Sequence, residues 1–445
     1  MQLTPADAQM YWLSDRMPND QFLLFCFATD AGVDEVREAV RRRTDVMGKL
    51  LCRVRDVPRQ LDYPYWCPRT FSDDLVAEHR LDDPSWENVQ NALGDLVATV
   101  LDARVSPWRL HVFTGVRGAP LCDDAALVVV WQVSHAFADG RGATALARAL
   151  FGADEPPASP RPEPGPIAWE MVARAAARFP AQAVRLARSG RRAAAAARAL
   201  DAATAAGEIP APAAGRPLVG VNCDPGTERS VRAVVFRSAA FRGGGHTVTV
   251  VALTAISVAL SRFLETRGES VPDRLGAEVT VAVGTVGSAN NNYRNVGVDL
   301  FVTESDLGVR AARIAADLGA RRERVTDPLL AQRDAAAEHV PAPLSRFGIV
   351  RSGSSRPVTV TGNTVVSSVF RGSADLALAG GPVVFSAGFP ALSPAMALTH
   401  GVYGLGETVT IGVAAGSRVI PDLDAYEEMV RDAVAEVGAA LSPAR

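Results

Sequence analysis

The sequence predicts an α/β protein built as two layered halves. Three observations carry this. Strand-like apolar runs alternate with helix-periodic segments through residues 1–151. Proline-rich and then alanine- and arginine-rich sequence interrupts the alternation from 152 to 220. The alternation resumes over 221–445. Such alternation lays helices against the faces of a sheet. The chain of 445 residues is too long for one core, and roughly 150 residues per domain gives two or three. The expected division is an N-terminal domain over 1–151, a linker with helices over 152–220 and a C-terminal domain over 221–445.

Thr4-Pro-Ala-Asp7 opens the first element. A hydroxyl at the cap, proline at the first helical position and an acid three residues on start a short helix through Trp12. Phe22 to Thr29 is an apolar strand. Val33, Val36 and Val40 recur at helical spacing before Arg41-Arg-Arg43. Leu50 to Val54 is strand-like, Leu93 to Leu101 helical and Leu110 to Thr114 strand-like. Ala125-Ala-Leu-Val-Val-Val-Trp-Gln-Val133 is almost continuously apolar and valine-rich, which suits a strand covered on both faces. Asp139-Gly140 turns the chain, and Ala143 to Phe151 forms a short helix that stops at Gly152.

The prolines of 153–166 favour an extended spacer. Trp169 to Ala203 is helical, with a break expected at Pro180. Arg174, Arg178, Arg185, Arg188, Arg191, Arg192 and Arg198 are opposed there only by Glu170 and Asp201. They form either a solvated linker face or a surface for anionic lipid, a cofactor phosphate or an acidic carrier protein. After a loop over 208–217, Val231 to Phe236 is a strand. Gly243-Gly-Gly245 is a turn before a helix from Thr247 to Leu264. Val279 to Val283 is a strand and Asp306 to Arg324 a helix. Strands follow at Thr364–Val369, Val383–Ser386, Met396–Tyr403 and Val409–Val413, and a terminal amphipathic helix at Asp422–Val437.

Composition narrows the function classes. Hydrophobic residues make up 48% and charged residues 21%, a globular composition. The formal net charge of −3 argues against a general nucleic-acid binder. The five cysteines are scattered with no CxxC pair, so reduced thiols are expected rather than a zinc site or a disulfide framework. No signal-peptide pattern opens the chain. The longest apolar stretch, Val248 to Leu260, falls short of the roughly 20 residues a bilayer span needs, and reads as a buried core helix. A cytoplasmic protein is expected, with at most salt-sensitive, peripheral membrane contact through the basic segment.

The chemistry centres on Trp131-Gln-Val-Ser-His-Ala-Phe-Ala-Asp-Gly140. A buried strand delivers His135 from the interior, where a neutral imidazole can accept a proton near pH 7. The alternative is a structural histidine, with Asp139 capping a helix. There is no G-x-S-x-G elbow, no phosphate-binding GxxxxGK[ST] loop and no GxGxxG after a strand. A metal on His135 and Asp139 is disfavoured because Gly140 interrupts any shared helix and the other histidines are dispersed. What remains is a base without its own nucleophile. That suits direct transfer of an acyl group from a thioester to an incoming hydroxyl or amine. Ser134, Asn290, Asn291, Asn292 and backbone amides are candidate oxyanion or substrate contacts. The asparagine run also reads as a polar turn. Asp139 reads as an anchor, through an arginine, rather than as a proton carrier.

His135-Ala-Phe-Ala-Asp-Gly140 resembles the active-site motif of the coenzyme-A-dependent acyltransferase superfamily, which includes chloramphenicol acetyltransferases and peptide-synthetase condensation domains. Leu3-Thr-Pro-Ala-Asp7, Pro107-Trp-Arg-Leu-His111, Leu392-Ser-Pro-Ala-Met-Ala-Leu-Thr-His-Gly-Val-Tyr403, Thr410-Ile-Gly-Val413 and Val419-Ile-Pro-Asp-Leu423 are similar, in order, to motifs of the wax ester synthase/diacylglycerol acyltransferase family. The resemblance implies two chloramphenicol-acetyltransferase-like α/β domains around a central tunnel. His135 would be the general base, with Asp139 and Gly140 structural. Donor and acceptor would enter from opposite sides. It implies no permanently bound cofactor, acyl-CoA or an acyl-carrier-protein thioester as co-substrate, a small-molecule acceptor, and a carrier protein as a further candidate partner.

Two departures stand out. The family's first histidine of an adjacent pair is Ser134 here, and its Asn-Asp pair after a threonine–valine is replaced by Thr249-Val250. They point away from bulk wax ester or triacylglycerol synthesis and toward a specialised relative that acylates a small molecule in natural-product biosynthesis. A condensation-type enzyme with a carrier-bound donor and a degenerate, non-catalytic binding member are the alternatives.

Overall fold

A computed structural model describes residues 1–284, 289–352 and 357–442. The first part of the chain forms α1 (Pro5–Leu13), β1 (Gln21–Phe27), α2 (Val33–Val46), β2 (Cys52–Arg55), β3 (Tyr65–Pro68), β4 (Val76–Glu78), α3 (Trp86–Val97), β5 (Trp108–Val116), β6 (Ala126–Val133) and α4 (Gly140–Phe151). The long helix α5 (Ala168–Ala205) follows. The remainder forms β7 (Arg229–Arg237), α6 (Val248–Thr266), β8 (Gly276–Ala282), β9 (Tyr293–Asp299), α7 (Leu307–Thr326), α8 (Pro328–Asp334) and α9 (Ala342–Ser352). It ends with β10 (Thr364–Phe370), β11 (Ala377–Leu378), β12 (Gly381–Gly388), β13 (Leu398–Leu405), β14 (Thr408–Gly416) and α10 (Leu423–Leu441).

Two six-stranded sheets organise these elements, in the orders β11-β12-β1-β6-β5-β4 and β7-β14-β13-β10-β8-β9. β6 runs antiparallel between β1 and β5, and all eight of its residues are buried. One face of its sheet packs on α2 and α4, where Phe151 meets Phe25 and Phe27 edge-on. The other face carries Phe22, Leu24, Val128 and Val130 into a cluster that includes Val231, Ala233 and Ala414 of the second sheet. The apolar run is therefore covered on both sides, once by helices and once by the other half of the molecule. In the second half α6 is buried against α10 and the sheet. It is the one helix among the described residues long and apolar enough to cross a membrane, and most of that window lies inside the fold.

The expected division at 151 and 221 is modified by the sheets. The segment Ala377–Gly388, from the C-terminal part, joins the first sheet, where β12 pairs antiparallel with β1. Pairing there covers an edge of β1 that would otherwise leave its N–H and C=O groups open. The buried Arg371 sits at the same seam. Its guanidinium stacks on Tyr403 and donates to the Ala387 carbonyl at 2.7 Å.

Other expectations shift more locally. α5 runs unbroken through Pro180. A proline inside a helix costs about 3 kcal/mol, but Pro180 faces solvent and alanine-rich flanks carry the helix on. All seven arginines of this helix are exposed, so the solvated face describes its surroundings. α3 begins at Trp86, capped by Ser85, rather than at Leu93. β2 begins at Cys52, behind a short 3-10 turn at Gly48–Leu50. β3, β4, β9, α8 and α9 were not legible as elements. β3 and β4 span only four and three residues, too few to show a period.

The two halves also meet along α3. Gln90 Oε1 accepts the Ala233 N–H of β7 at 2.8 Å, satisfying a donor on the sheet edge. Gly94 permits that approach, because a Cβ there would lie 2.4 Å from the Arg229 carbonyl oxygen. Gly190 in α5 has nothing within 4 Å of such a Cβ. Alanine gains up to about 1 kcal/mol over glycine in a helix, whereas a forced backbone shift in a packed contact costs about 1–3 kcal/mol. Urea midpoints should therefore move in opposite directions, down for Gly94→Ala and up for Gly190→Ala. A rise for both would show that the α3–β7 contact is loose.

Candidate active site

β6 ends at Val133 and the chain turns at once. Phe137 N–H donates to the Ser134 carbonyl at 2.9 Å, closing a tight turn that carries His135. Pro107 fixes the start of this turn, its carbonyl accepting the Ser134 N–H at 2.8 Å. Beside it, Trp108 Nε1 donates to the Leu50 carbonyl at 2.8 Å, and the Trp108 ring packs edge-on to Trp131. His111 bonds Gln132 Oε1 and His79, each at 2.9 Å. The Pro107–His111 motif thus braces the strand that delivers His135. Ala136, Phe137 and Ala138 are buried behind the turn, with Phe137 edge-on to Trp66.

The opposite wall comes from the second half of the chain. The turn Ala289–Asn292, leading into β9, inserts between α1 and the His135 turn. Asp7, 1% exposed, accepts from the Asn290 backbone N–H at 3.0 Å, the Asn290 side chain at 3.2 Å and the Asn291 side chain at 3.0 Å. Asn291 Nδ2 also donates to the His135 carbonyl at 2.6 Å. Asp139 completes the clasp. Its N–H donates to the Asn290 carbonyl at 3.2 Å, and its carboxylate accepts from Asn292 N at 3.1 Å and from Gly142 N at 2.8 Å. The last of these caps α4. Among the described residues no arginine pairs with Asp139. Its anchor is the asparagine turn and the helix N-terminus, where backbone N–H groups favour a carboxylate.

The imidazole is deeply surrounded, although the residue as a whole is only half-buried. Burial pushes its pKa below the usual value, with the Asn291 contact and the Asp139 charge working the other way. Nδ1 lies 3.4 Å from Asn291 Oδ1. The amide of Asn291 is oriented by its Nδ2, which already donates to Asp7 and to the His135 carbonyl, so Oδ1 is the acceptor. That assigns the ring proton to Nδ1 and leaves Nε2 unprotonated, with no hydrogen-bond partner among the described residues. Tyr293, at the start of β9, flanks the ring at 5.9 Å between centroids. Gln21 Nε2 donates to the Ala138 carbonyl at 2.5 Å, and Val369 of β10 lies beside Gly140.

The sequence candidates therefore do converge. Ser134 spends its hydroxyl on the turn, accepting from Ala136 N at 3.3 Å. Asn290 and Asn291 point their amide donors at Asp7 and the His135 carbonyl, which makes them scaffolding for the histidine turn. The asparagine run is indeed a polar turn, but one locked to the motif. Asp7 is the residue sequence reasoning missed. It reads as an ordinary acid in the first turn of α1, and only the fold brings it within reach of residues nearly 300 positions away. Tyr293 and Gln21 carried no signal. Thr249 bonds Ser368 across to β10 at 2.8 Å. Among the described residues no group of three or more His, Cys, Asp or Glu is arranged to hold a metal ion. The two described depressions are not lined by His135.

Two family models match the chain. The wax ester synthase/diacylglycerol acyltransferase catalytic domain covers residues 3–237, and the C-terminal domain of the same family covers 291–437. The chain belongs to the wax ester synthase/diacylglycerol acyltransferase family. It is thereby an acyltransferase. Among solved structures it is similar to the wax ester synthase/diacylglycerol acyltransferase from Marinobacter aquaeolei VT8. That match has a TM-score of 0.65 at 18% identity and covers 99% of each chain. It is also similar to a mutant starter condensation domain of rhizomide synthetase in complex with C8-CoA and Leu-SNAC. There the TM-score is 0.57 at 12% identity, covering 100% of this chain and 95% of that one. The first condensation domain of the calcium-dependent antibiotic synthetase, in complex with a substrate analogue, matches with a TM-score of 0.56 at 16% identity, covering 98% and 96%. At these identities the structural matches establish the two-domain fold. No curated protein matches the sequence.

If the clasp holds the family's motif in place, removing its buried acceptor should damage turnover. Asp7→Ala strands three N–H donors, which costs about 1–3 kcal/mol when such groups stay buried. We expect a matching fall in the unfolding midpoint and a fall in kcat that exceeds any rise in KM. Wild-type kcat in a destabilised Asp7→Ala protein would separate the clasp from catalysis.

Proposed function

We propose that this acyltransferase moves an acyl group from a coenzyme A thioester to the hydroxyl or amine of a small molecule, with His135 as general base. One observation carries the reading. Burial favours the neutral imidazole, with Nδ1 turned to Asn291 and Nε2 without a hydrogen-bond partner among the described residues. The acceptor O–H or N–H gives its proton to Nε2 as the acceptor atom attacks the thioester carbonyl. The tetrahedral intermediate collapses, expels the thiolate, and the imidazolium returns the proton to the sulfur. No covalent acyl-enzyme is required. Of the oxyanion contacts read from the sequence, Ser134 is committed to the turn and the three asparagines to the clasp, which leaves nearby backbone amides and the Tyr293 hydroxyl beside the ring as candidate donors.

The small-molecule acceptor and a role in natural-product biosynthesis rest on Ser134 and Thr249, where the family's first histidine and its Asn-Asp pair would stand. A cytoplasmic location remains part of the proposal, and the peripheral membrane contact in it is supported by α5, whose exposed arginines accompany Trp169 and Phe179, 68% and 56% exposed. The same basic face supports a second reading, in which the donor arrives on an acidic carrier protein. Turnover with the carrier-bound donor well above that with the free thioester would favour it.

His135→Ala should lower turnover by about 10²- to 10⁴-fold, the usual worth of a general base, with the unfolding midpoint retained. Wild-type rates in a folded variant would remove His135 from the mechanism. The pH profile gives a separate check. The base must be neutral, and burial moves its pKa below 6.5. The acid limb of kcat/KM should therefore turn below pH 6.5, with a plateau through neutrality. A limb centred above that value would mean the imidazole is stabilised as a cation.

A further inference from the structure

We infer that the depression between β2, β3 and the segment before β5 is a phosphate-binding site for the nucleotide end of the thioester donor. The inference rests on the thioester reading above and assigns that donor a place. The depression measures about 650 Å³ and opens to solvent. Its lining includes Arg53, Arg69, Arg104 and Arg161, together with Thr70 and Ser72, and no carboxylate. A volume of this order suits a nucleotide-sized ligand. Guanidinium groups are the side chains best shaped for phosphate, through paired N–H donors.

The four arginines arrive from four separate stretches of the chain. Arg53 projects outward from β2 between the buried Cys52 and Val54, and Val54 N–H bonds the Ala103 carbonyl at 2.7 Å. Arg69 is anchored by Nη1 to the Val105 carbonyl at 3.2 Å and by Nη2 to Ser72 Oγ at 2.6 Å. Arg161 comes from the proline-rich segment. That segment does not hang free: Gly48 N–H donates to the Ser159 carbonyl at 3.0 Å and Lys49 N–H to Ser159 Oγ at 3.1 Å. A Cβ on Gly48 would lie 2.7 Å from Arg161 N, so the glycine is what lets the spacer lie flat here.

Carboxylates do reach three of the arginines, but from the rim. Asp102 pairs with Arg104 at 2.8 Å, Asp74 lies 3.6 Å from Arg69 and Asp45 lies 3.6 Å from Arg161. All three acids are exposed, and the pairs with the exposed Arg104 and Arg161 are weak and exchange readily, whereas Arg69 is largely buried and shapes the wall of the depression. Arg53 forms no salt bridge among the described residues. Burial and the charges of Arg109 and Arg53 lower the pKa of Arg69, opposed by Asp74, consistent with crowded positive charge.

The depression is also close to the histidine along the backbone. Val105 precedes Pro107 by two residues, the Pro107 carbonyl holds Ser134, and His135 is next. With consecutive Cα atoms ~3.8 Å apart, that path keeps the rim within about 20 Å of the histidine. The donor's phosphates would sit at the arginines while its flexible arm runs toward the imidazole.

Calorimetry on the full chain tests this with three probes: coenzyme A, phosphate-free pantetheine and inorganic phosphate. The proteins are wild type, the double variant Arg53→Gln/Arg161→Gln, and Arg418→Gln as a remote-charge control on the far domain. The double variant should weaken coenzyme A about tenfold, the scale of a lost charged contact. Pantetheine should not discriminate among the proteins, and coenzyme A should bind wild type at least tenfold more tightly than inorganic phosphate does. In turnover, the acyl-CoA to acyl-pantetheine ratio of kcat/KM should fall by a similar factor. Unchanged coenzyme A affinity in the double variant, an equal loss in Arg418→Gln, or inorganic phosphate binding as tightly as coenzyme A would overturn the site. Wild-type turnover combined with an unaffected double variant would remove the pocket and leave the acyltransferase reading standing. Failure of every thioester would remove that reading while calorimetry still decides the pocket.

Discussion

The site depends on one constraint, the lodging of the Ala289–Asn292 turn between two buried carboxylates of the other half. Asp7 and Asp139 come from the first helix and from the histidine motif. Neither meets an arginine or lysine among the described residues, and both are satisfied by N–H donors of a single short turn. Neutral donors suffice because a buried carboxylate needs hydrogen bonds before it needs a countercharge. Burial raises the pKa of Asp7 and the amide bonds oppose that rise. The clasp therefore joins the halves and positions His135 with the same few contacts.

That economy explains the rest of the motif. Asp139 cannot act as a proton carrier while it accepts from Asn292 and caps α4. Asn291 bridges Asp7 and the histidine carbonyl, which holds its Oδ1 toward the ring. The imidazole tautomer is thus set from the second half of the chain, although the histidine belongs to the first. Apolar contacts support the arrangement at longer range. β12 is built into the first sheet and α3 lies against β7, so the two halves share one apolar cluster between their sheets. An imidazole at such a seam is held by contacts from both halves.

Much of the fold was legible because strong periodic signals coincided with real elements. The valine-rich approach to His135 is β6, the capped starts at Thr4, Thr247, Asp306 and Asp422 all open helices, and the apolar Val248 segment is a buried helix. Failures have physical causes. Pro180 was read by its local penalty, which a solvated alanine-rich helix tolerates. β12 looked like a member of the second half because sequence order says nothing about which sheet a strand joins. For the site, His135, Asp139 and the three asparagines were legible as candidates, but their connection was not. Hydrogen bonds between Asp7 and Asn290 span 283 positions, and no local pattern announces them. The expected arginine partner for Asp139 arose from charge logic, whereas the fold satisfies that carboxylate with backbone N–H groups.

The most direct test of the central claim is the protonation state of one ring. Histidine labelled with nitrogen-15 would report each imidazole by NMR, with His135→Gln used to assign the signal. At pH 7 the account predicts a neutral His135 carrying its proton on Nδ1, with Nε2 unprotonated, and a titration midpoint below the ordinary 6.5. A cationic ring at pH 7, or a neutral ring protonated on Nε2, would contradict it.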